Sequence, residues 1–221
     1  MSQEEKKSQK KQIFGWCMFD FANSSYTTVI VSVIYCNIFT MLVVPGDPTS
    51  ETPFAYGNLL WSIAQAIGYI LVVFTAPILG AITDFSPTKK KALIITSFLC
   101  IIPTALLYFV DPGMIWLAMI LVIVSFFSFT STENIVSSFL PFLGDRETLG
   151  KISGYAWGIG YFGGLGSVAL AQTLGDIIPE NYDNLRWVGP YTAMFFFVAA
   201  IPTFLLLDEP KIKSIRPPGF S

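Results

Sequence analysis

The chain has 221 residues, 53% of them hydrophobic and only 13% charged, with a mean hydropathy of +0.61. Soluble domains carry about 25% charged residues, so a water-facing exterior is excluded and a lipid-facing one is the natural explanation. A net charge of −2 drawn from so few ions leaves no basic footprint for nucleic acid. The absence of histidine removes His-based triads, His metal ligands and His proton relays. Cys17, Cys36 and Cys100 lie in apolar runs without paired spacing and read as small core residues.

The chain opens with a basic segment, 1–12, holding Lys6, Lys7, Lys10 and Lys11. The apolar run behind it is far longer than the roughly 7–15 residues of a signal-peptide core, and Asp20 interrupts it, so it reads as a first membrane helix. A spanning helix needs about 20 largely apolar residues. Six segments qualify: 13–44, 54–83, 92–110, 113–140, 152–175 and 188–207. Backbone groups in lipid must be satisfied internally, which predicts an all-α, six-helix transmembrane domain over 13–207 and a tail, or the start of a linker, over 208–221. Pro77, Pro103 and Pro202 are expected to kink three of these helices. Between them stand Pro45-Gly46-Asp47-Pro48, Ser86-Pro87, Asp111-Pro112-Gly113, Pro141 and Pro179. Trp16, Tyr56, Trp116, Trp187 and Tyr191 fall near the ends, where an interfacial aromatic belt is expected. With the N-terminus inside, every lysine and arginine except Arg186 falls on the inner side, which predicts that both termini are cytoplasmic.

Polar residues within such spans carry the functional expectations. Asp20, Asn23, Ser24 and Thr27 follow at helical spacing as a stripe that should face a cavity or another helix; the alternative is that Asp20 caps a helix starting later. Glu133, in the fourth span, lies at a depth similar to Asp20 when each is counted from its own end. It is a candidate proton or cation carrier, or else an acid that snorkels to the interface. Gln65 sits mid-span between Trp61 and Tyr69, suited to a polar solute or to an interhelical hydrogen bond. In the fifth span Gly154 with Gly158, and Gly160 with Gly164, are small-x-x-x-small pairs expected to bring helices together.

The inner loop Gly80-Ala-Ile-Thr-Asp84-Phe-Ser-Pro-Thr-Lys89-Lys90-Lys91 resembles the signature loop of the major facilitator superfamily, although Phe85 and Pro87 stand where a basic residue and a glycine are usual. Its glycine is expected to permit close helix approach and its lysines to pin the loop to anionic lipid. Trp16-Cys-Met-Phe-Asp20-Phe21-Ala22-Asn23-Ser24-Ser-Tyr26, Phe139-Leu140-Pro141 and the stretch from Ser153 to Gly164 resemble the vacuolar-effluxer-like branch of that superfamily, whose members are associated with amino-acid efflux. Phe19 and Val136-Ser137 depart from its usual Tyr and Tyr-Asn.

The resemblance implies half of a facilitator bundle, two inverted three-helix repeats, with Asp20 and Glu133 facing one central cavity. It further implies a secondary transporter, with the lipid bilayer and a small polar solute as partners and with amino acids favoured. The membrane would be the inner cell membrane of a prokaryote or the vacuolar membrane of a fungus or plant. A second six-helix half is expected, as a missing C-terminal half, a separate chain or a homodimer. The other reading is a non-transporting membrane scaffold or a truncated remnant. No cofactor, metal site, nucleic-acid partner or enzymatic activity is expected.

Overall fold

The computed structural model describes residues 3–47, 49–85 and 87–210, leaving out the side chains of 82–85. Asp84 as a side chain, Pro48 and the basic tail from Lys211 onward lie outside the described residues. The described residues form six long helices and no strand: α1 (Gln3–Val43), α2 (Ala55–Phe85), α3 (Lys89–Leu106), α4 (Ile115–Ser137), α5 (Arg146–Ala171) and α6 (Val188–Leu206). Five segments are long and apolar enough to cross a membrane: Gln3–Val43, Ala55–Ala81, Lys89–Phe109, Ile115–Phe142 and Pro179–Leu206. With 26 residues, α5 is long enough at 1.5 Å per residue, but Arg146, Glu147, Lys151 and its many glycines dilute its apolar character.

The first helix starts at Gln3, ten residues before the hydropathy boundary. Glu4 and Glu5 in its first turn complement the helix dipole, and the lysine-rich segment continues the apolar helix as a polar extension. Asp20 therefore lies well inside a helix, and the capping alternative is ruled out. Beyond Ser25, α1 winds as π-helix over Tyr26–Val33, breaks at Ile34 (φ −112°), and is π-helical again over Phe39–Val43. The sequence supplies a cause. Hydroxyls of Ser24, Ser25 and Thr28 donate to the carbonyls of Asp20, Ala22 and Ser24 at 2.6–2.8 Å, competing with the i→i−4 ladder where the β-branched run begins.

Helix α1 is the central element, packed along α5 and α6, while α4 packs on α2 and α3, and α3 also meets α6. Phe19 meets Phe196 edge-on at 5.9 Å, and Tyr26 stacks on Phe129 at 4.9 Å with its hydroxyl 2.7 Å from Ser125 Oγ. Trp16 is buried, and its indole N–H donates to the Val136 carbonyl at 2.9 Å. This corrects its assignment to an interfacial belt, because an amphipathic helix end can also turn its tryptophan inward toward a helix-terminal carbonyl with a second lone pair to offer. Tyr56, Trp116 and Trp187 are exposed near helix ends.

Both poles of the bundle are tied across helices. At the lysine-bearing pole, the Glu209 carboxylate accepts the backbone N–H groups of Lys89 and Lys90, both at 2.8 Å, so the segment after α6 caps the N-terminus of α3. Lys89 itself is only 4% exposed, with its ammonium 5.3 Å from the centre of the Phe142 ring. It does not reach toward lipid as expected; a cation–π contact and a buried stem hold it inward. A Cβ on Gly80 would meet nothing within 4 Å among the described residues, so no described helix makes the close approach expected there. Gly80 instead borders a small gap between α2 and α4. At the other pole Arg186 pairs with Asp111 and lies over the rings of Tyr108 and Tyr182, while Tyr182 donates to the Val110 carbonyl at 2.8 Å. The arginine that breaks the charge asymmetry is thus consumed inside the fold.

The Glu209 cap leads to a measurable expectation. Glu209→Ala should lower stability by about 1–2 kcal/mol, and Glu209→Gln should recover part of that loss because an amide oxygen still accepts a bond. Thermal unfolding of the purified protein in detergent measures both; equal midpoints for wild type and Glu209→Ala would exclude the cap.

Candidate functional site

The polar residues of α1 do not form one stripe; they divide between two neighbouring clefts. The first, about 380 Å³, lies between α1, α4 and α5, and among its lining residues are Asp20, Asn23, Glu133, Ser153 and Trp157. The second, about 250 Å³, follows α1 and α5 further from the lysine-bearing pole and is lined by Asp20, Ser24, Thr27, Thr28, Trp157 and Tyr161 among others. Asp20 and Trp157 border both, so the two form neighbouring stretches along the α1–α5 groove. The division follows from helix geometry. Asp20, Ser24 and Thr28 succeed one another at i+4 toward α5, and Asn23, one residue back, points at α4.

Asn23 Nδ2 donates to Glu133 Oε1 at 3.1 Å, joining α1 to α4. In this orientation, with its nitrogen committed to a carboxylate, Oδ1 has no hydrogen-bond partner among the described residues, although Asn23 is only 3% exposed. Asp20 and Glu133 therefore share the first cleft, although they come from helices far apart in sequence. Among the described residues, neither cleft is lined by lysine or arginine.

Glycines set how closely α5 approaches. A Cβ on Gly160 would stand 2.5 Å from Asp20 Oδ2, one on Gly164 2.8 Å from Thr28 Oγ1, and one on Gly163 would overlap the Phe21 carbonyl oxygen. Gly154 and Gly158 have nothing within 4 Å of such an atom among the described residues, so that pair brings no described helix close. The two pairs share a spacing but sit on different faces of α5.

Gln65 does not line either cleft. Its flanking aromatics serve packing between helices: Trp61 meets Tyr35 and Phe39 of α1, and Tyr69 meets Phe126 of α4 edge-on at 4.9 Å. Thr28, Ser137, Ser153, Trp157 and Tyr161 line the clefts without having been singled out as site candidates. For three of them a signal existed, since Ser153, Trp157 and Tyr161 recur every four residues along one face of α5. Trp157 is 74% exposed and stacks on Tyr161 at 6.3 Å, an unusual surface for two large rings.

Residues 60–218, most of the chain, match the family described as Vacuole effluxer Atg22 like. The chain belongs to that family. A curated relative, the uncharacterized MFS-type transporter YxiO of Bacillus subtilis (strain 168), is 27% identical over 214 residues, covering 93% of this chain and 47% of the relative. The chain thus spans about half the length of the curated relative it matches. No solved structure matches it significantly. The family match takes in α4 and α5, the two walls of the first cleft that face α1, and the alignment with the relative extends into α1 as well. In this Atg22-like chain the long apolar helices belong to a multi-pass membrane protein.

Proposed function

We propose that this chain forms one six-helix half of a secondary transporter, and that the Asp20–Asn23–Glu133 cleft is this half's share of a path for a small polar solute. The observation that carries the reading is the convergence of two intramembrane acids and an amide from α1 and α4 on one cleft. Such residues are costly in lipid and are kept where they meet solute or water. In this reading α5 also spans the membrane, which brings the number of spans to six. Its length and its packing along α1 support that, as an element buried against the central helix at membrane depth.

The contact pattern supports an inverted repeat. Exchanging α1 with α4, α2 with α5 and α3 with α6 turns the α1–α5 and α1–α6 contacts into the α4–α2 and α4–α3 contacts, and leaves α3–α6 in place. The clustering of basic residues supports an inner, cytoplasmic lysine-bearing pole with both termini on that side. Transport then proceeds by rocking of this half against a second one, with amino acids as the favoured solute class by family association. A non-transporting scaffold is the other reading; it has no use for an acid pair lining a cleft.

The test is uptake of a panel of radiolabelled small solutes into proteoliposomes containing the protein. At least one solute should accumulate, and Asp20→Asn and Glu133→Gln should each reduce its flux about tenfold or more, the scale of one lost charge-assisted interaction. A properly inserted chain that moves no solute even as a dimer or beside a second six-helix half, or flux indifferent to both substitutions, would replace this reading with the scaffold.

A further inference from the structure

A groove of about 500 Å³ with an almost wholly apolar wall runs between α1 and α6. Met18 and Phe21 of α1 form one flank and Met194, Val198 and Pro202 of α6 the other, with Phe21 stacked on Phe195 at 5.6 Å. No residue lines both this groove and either cleft. On a helix of 3.6 residues per turn Phe21 and Asn23 point in nearly opposite directions, so the groove and the first cleft open to different sides of α1. A second half seated over the first cleft therefore leaves the groove to the bilayer.

Apolar surface alone says little in lipid. Here its helical face runs on into charge. From Phe21 back toward the N-terminus, the same face of α1 carries Met18, Phe14, Lys11 and Lys7 at alternating steps of three and four, with Lys10 four before Phe14. Phe14 is 51% exposed, and Lys7, Lys10 and Lys11 are exposed as well. At 1.5 Å per residue Lys11 stands about 10 Å from Met18 along the axis, a distance that suits a charged head at the interface and a chain in hydrocarbon. Lys6, Lys7, Lys10 and Lys11 outnumber the acids beside them, Glu4, Glu5 and Asp208, and Asp208 already accepts a bond from Gln12. Charge complementarity calls for an anionic head, with each lysine near the membrane surface adding to the attraction. A second copy of this chain fits poorly, because twofold packing on this face would set its lysines against these.

We infer that the groove between α1 and α6 binds an acyl chain of one anionic phospholipid, whose phosphate meets Lys7, Lys10 and Lys11. The site stands apart from the transporter reading and would survive its failure.

Native mass spectrometry of the detergent-solubilised protein, given dioleoylphosphatidylglycerol or dioleoylphosphatidylcholine, counts the lipids retained. One phosphatidylglycerol should be held at about a tenth or less of the concentration that phosphatidylcholine requires. Lys10→Gln with Lys11→Gln should reduce that preference about tenfold, whereas Lys90→Gln with Lys91→Gln, on α3 at the same pole, should preserve it. Val198→Trp, at a half-exposed position on the groove wall, should weaken retention of both lipids about tenfold or more by filling the space. Unfolding midpoints identify any variant lost to misfolding, and the exposed Lys10 and Lys11 keep the test valid if Val198→Trp does not fold. Equal retention of the two lipids, equal effects of the two lysine pairs, or retention untouched in Val198→Trp overturns the site. A dimer that dissociates in Val198→Trp while no lipid is retained also overturns it, and assigns the groove to a second copy.

Discussion

Gly163→Ala is expected to destabilise the protein by about 3 kcal/mol or more, whereas Gly158→Ala, five residues earlier on the same helix, should stay within about 0.5 kcal/mol of wild type. A methyl group on Gly163 would overlap the Phe21 carbonyl oxygen, and an atom of backbone cannot swing aside as a side chain can. The only relief is separation of α1 from α5, the longest packing seam of the bundle. In a bilayer such a seam depends on van der Waals fit, because lipid tails solvate apolar surface as well as protein does. A small separation therefore forfeits most of its energy. At Gly158 the added methyl would enter open space. Thermal unfolding midpoints of the two variants make the comparison, and similar midpoints would mean that α1 and α5 do not cross where described. The same displacement would carry Asp20 away from Gly160, so Gly163→Ala should also lose solute uptake.

The second large effect is expected at Trp16. Trp16→Ala should cost about 3 kcal/mol, the low end of the range for truncating a large buried aromatic, since the water-to-interior part of that range is reduced in lipid. Trp16→Phe should cost about 1–2 kcal/mol, the loss of one buried hydrogen bond with most of the packing retained. The indole N–H reaches the Val136 carbonyl at the end of α4, which also accepts the Phe139 backbone N–H at 3.1 Å, so the indole supplies a second bond to that oxygen. Trp16 also floors the cleft, so Trp16→Phe is expected to alter solute affinity more than its modest stability loss implies. If Trp16→Phe and Trp16→Ala unfold at the same temperature, ring packing contributes nothing and the indole bond is the whole effect.

The sequence made the apolar helices legible because lipid allows few alternatives: twenty apolar residues without backbone partners must coil upon themselves. It did not reveal where α1 begins. Hydropathy marks the edge of the membrane, whereas Lys6 to Lys11 extend the same helix into water with good helix-forming residues. The winding of Tyr26–Val33 was hidden as well, since hydroxyl-to-carbonyl bonds from serine and threonine decide it and hydropathy does not register them. Asp20 and Glu133 could be matched by depth alone. The division of Asn23 from Ser24 could not, because it depends on which neighbour stands on each side of α1. Gly154–Gly158 and Gly160–Gly164 are indistinguishable by spacing and differ only in the partner each face meets. The contacts of Lys89 and Glu209 were not legible for a similar reason: their partners lie 53 and about 120 positions away in the chain, beyond any local pattern.

The fastening at both ends has a mechanical consequence. Glu209 clasps the start of α3, Gln12 reaches Asp208, and Thr203 holds the Gly15 carbonyl at one extremity, while Arg186 and Tyr182 lock two connections together at the other. A bundle pinned top and bottom resists internal shear, so its helices tilt together like the staves of a hooped barrel. Spin labels placed on α1 and α6 should hold a constant spacing whatever solute is present, and any displacement large enough to measure must be sought against a body outside these six helices.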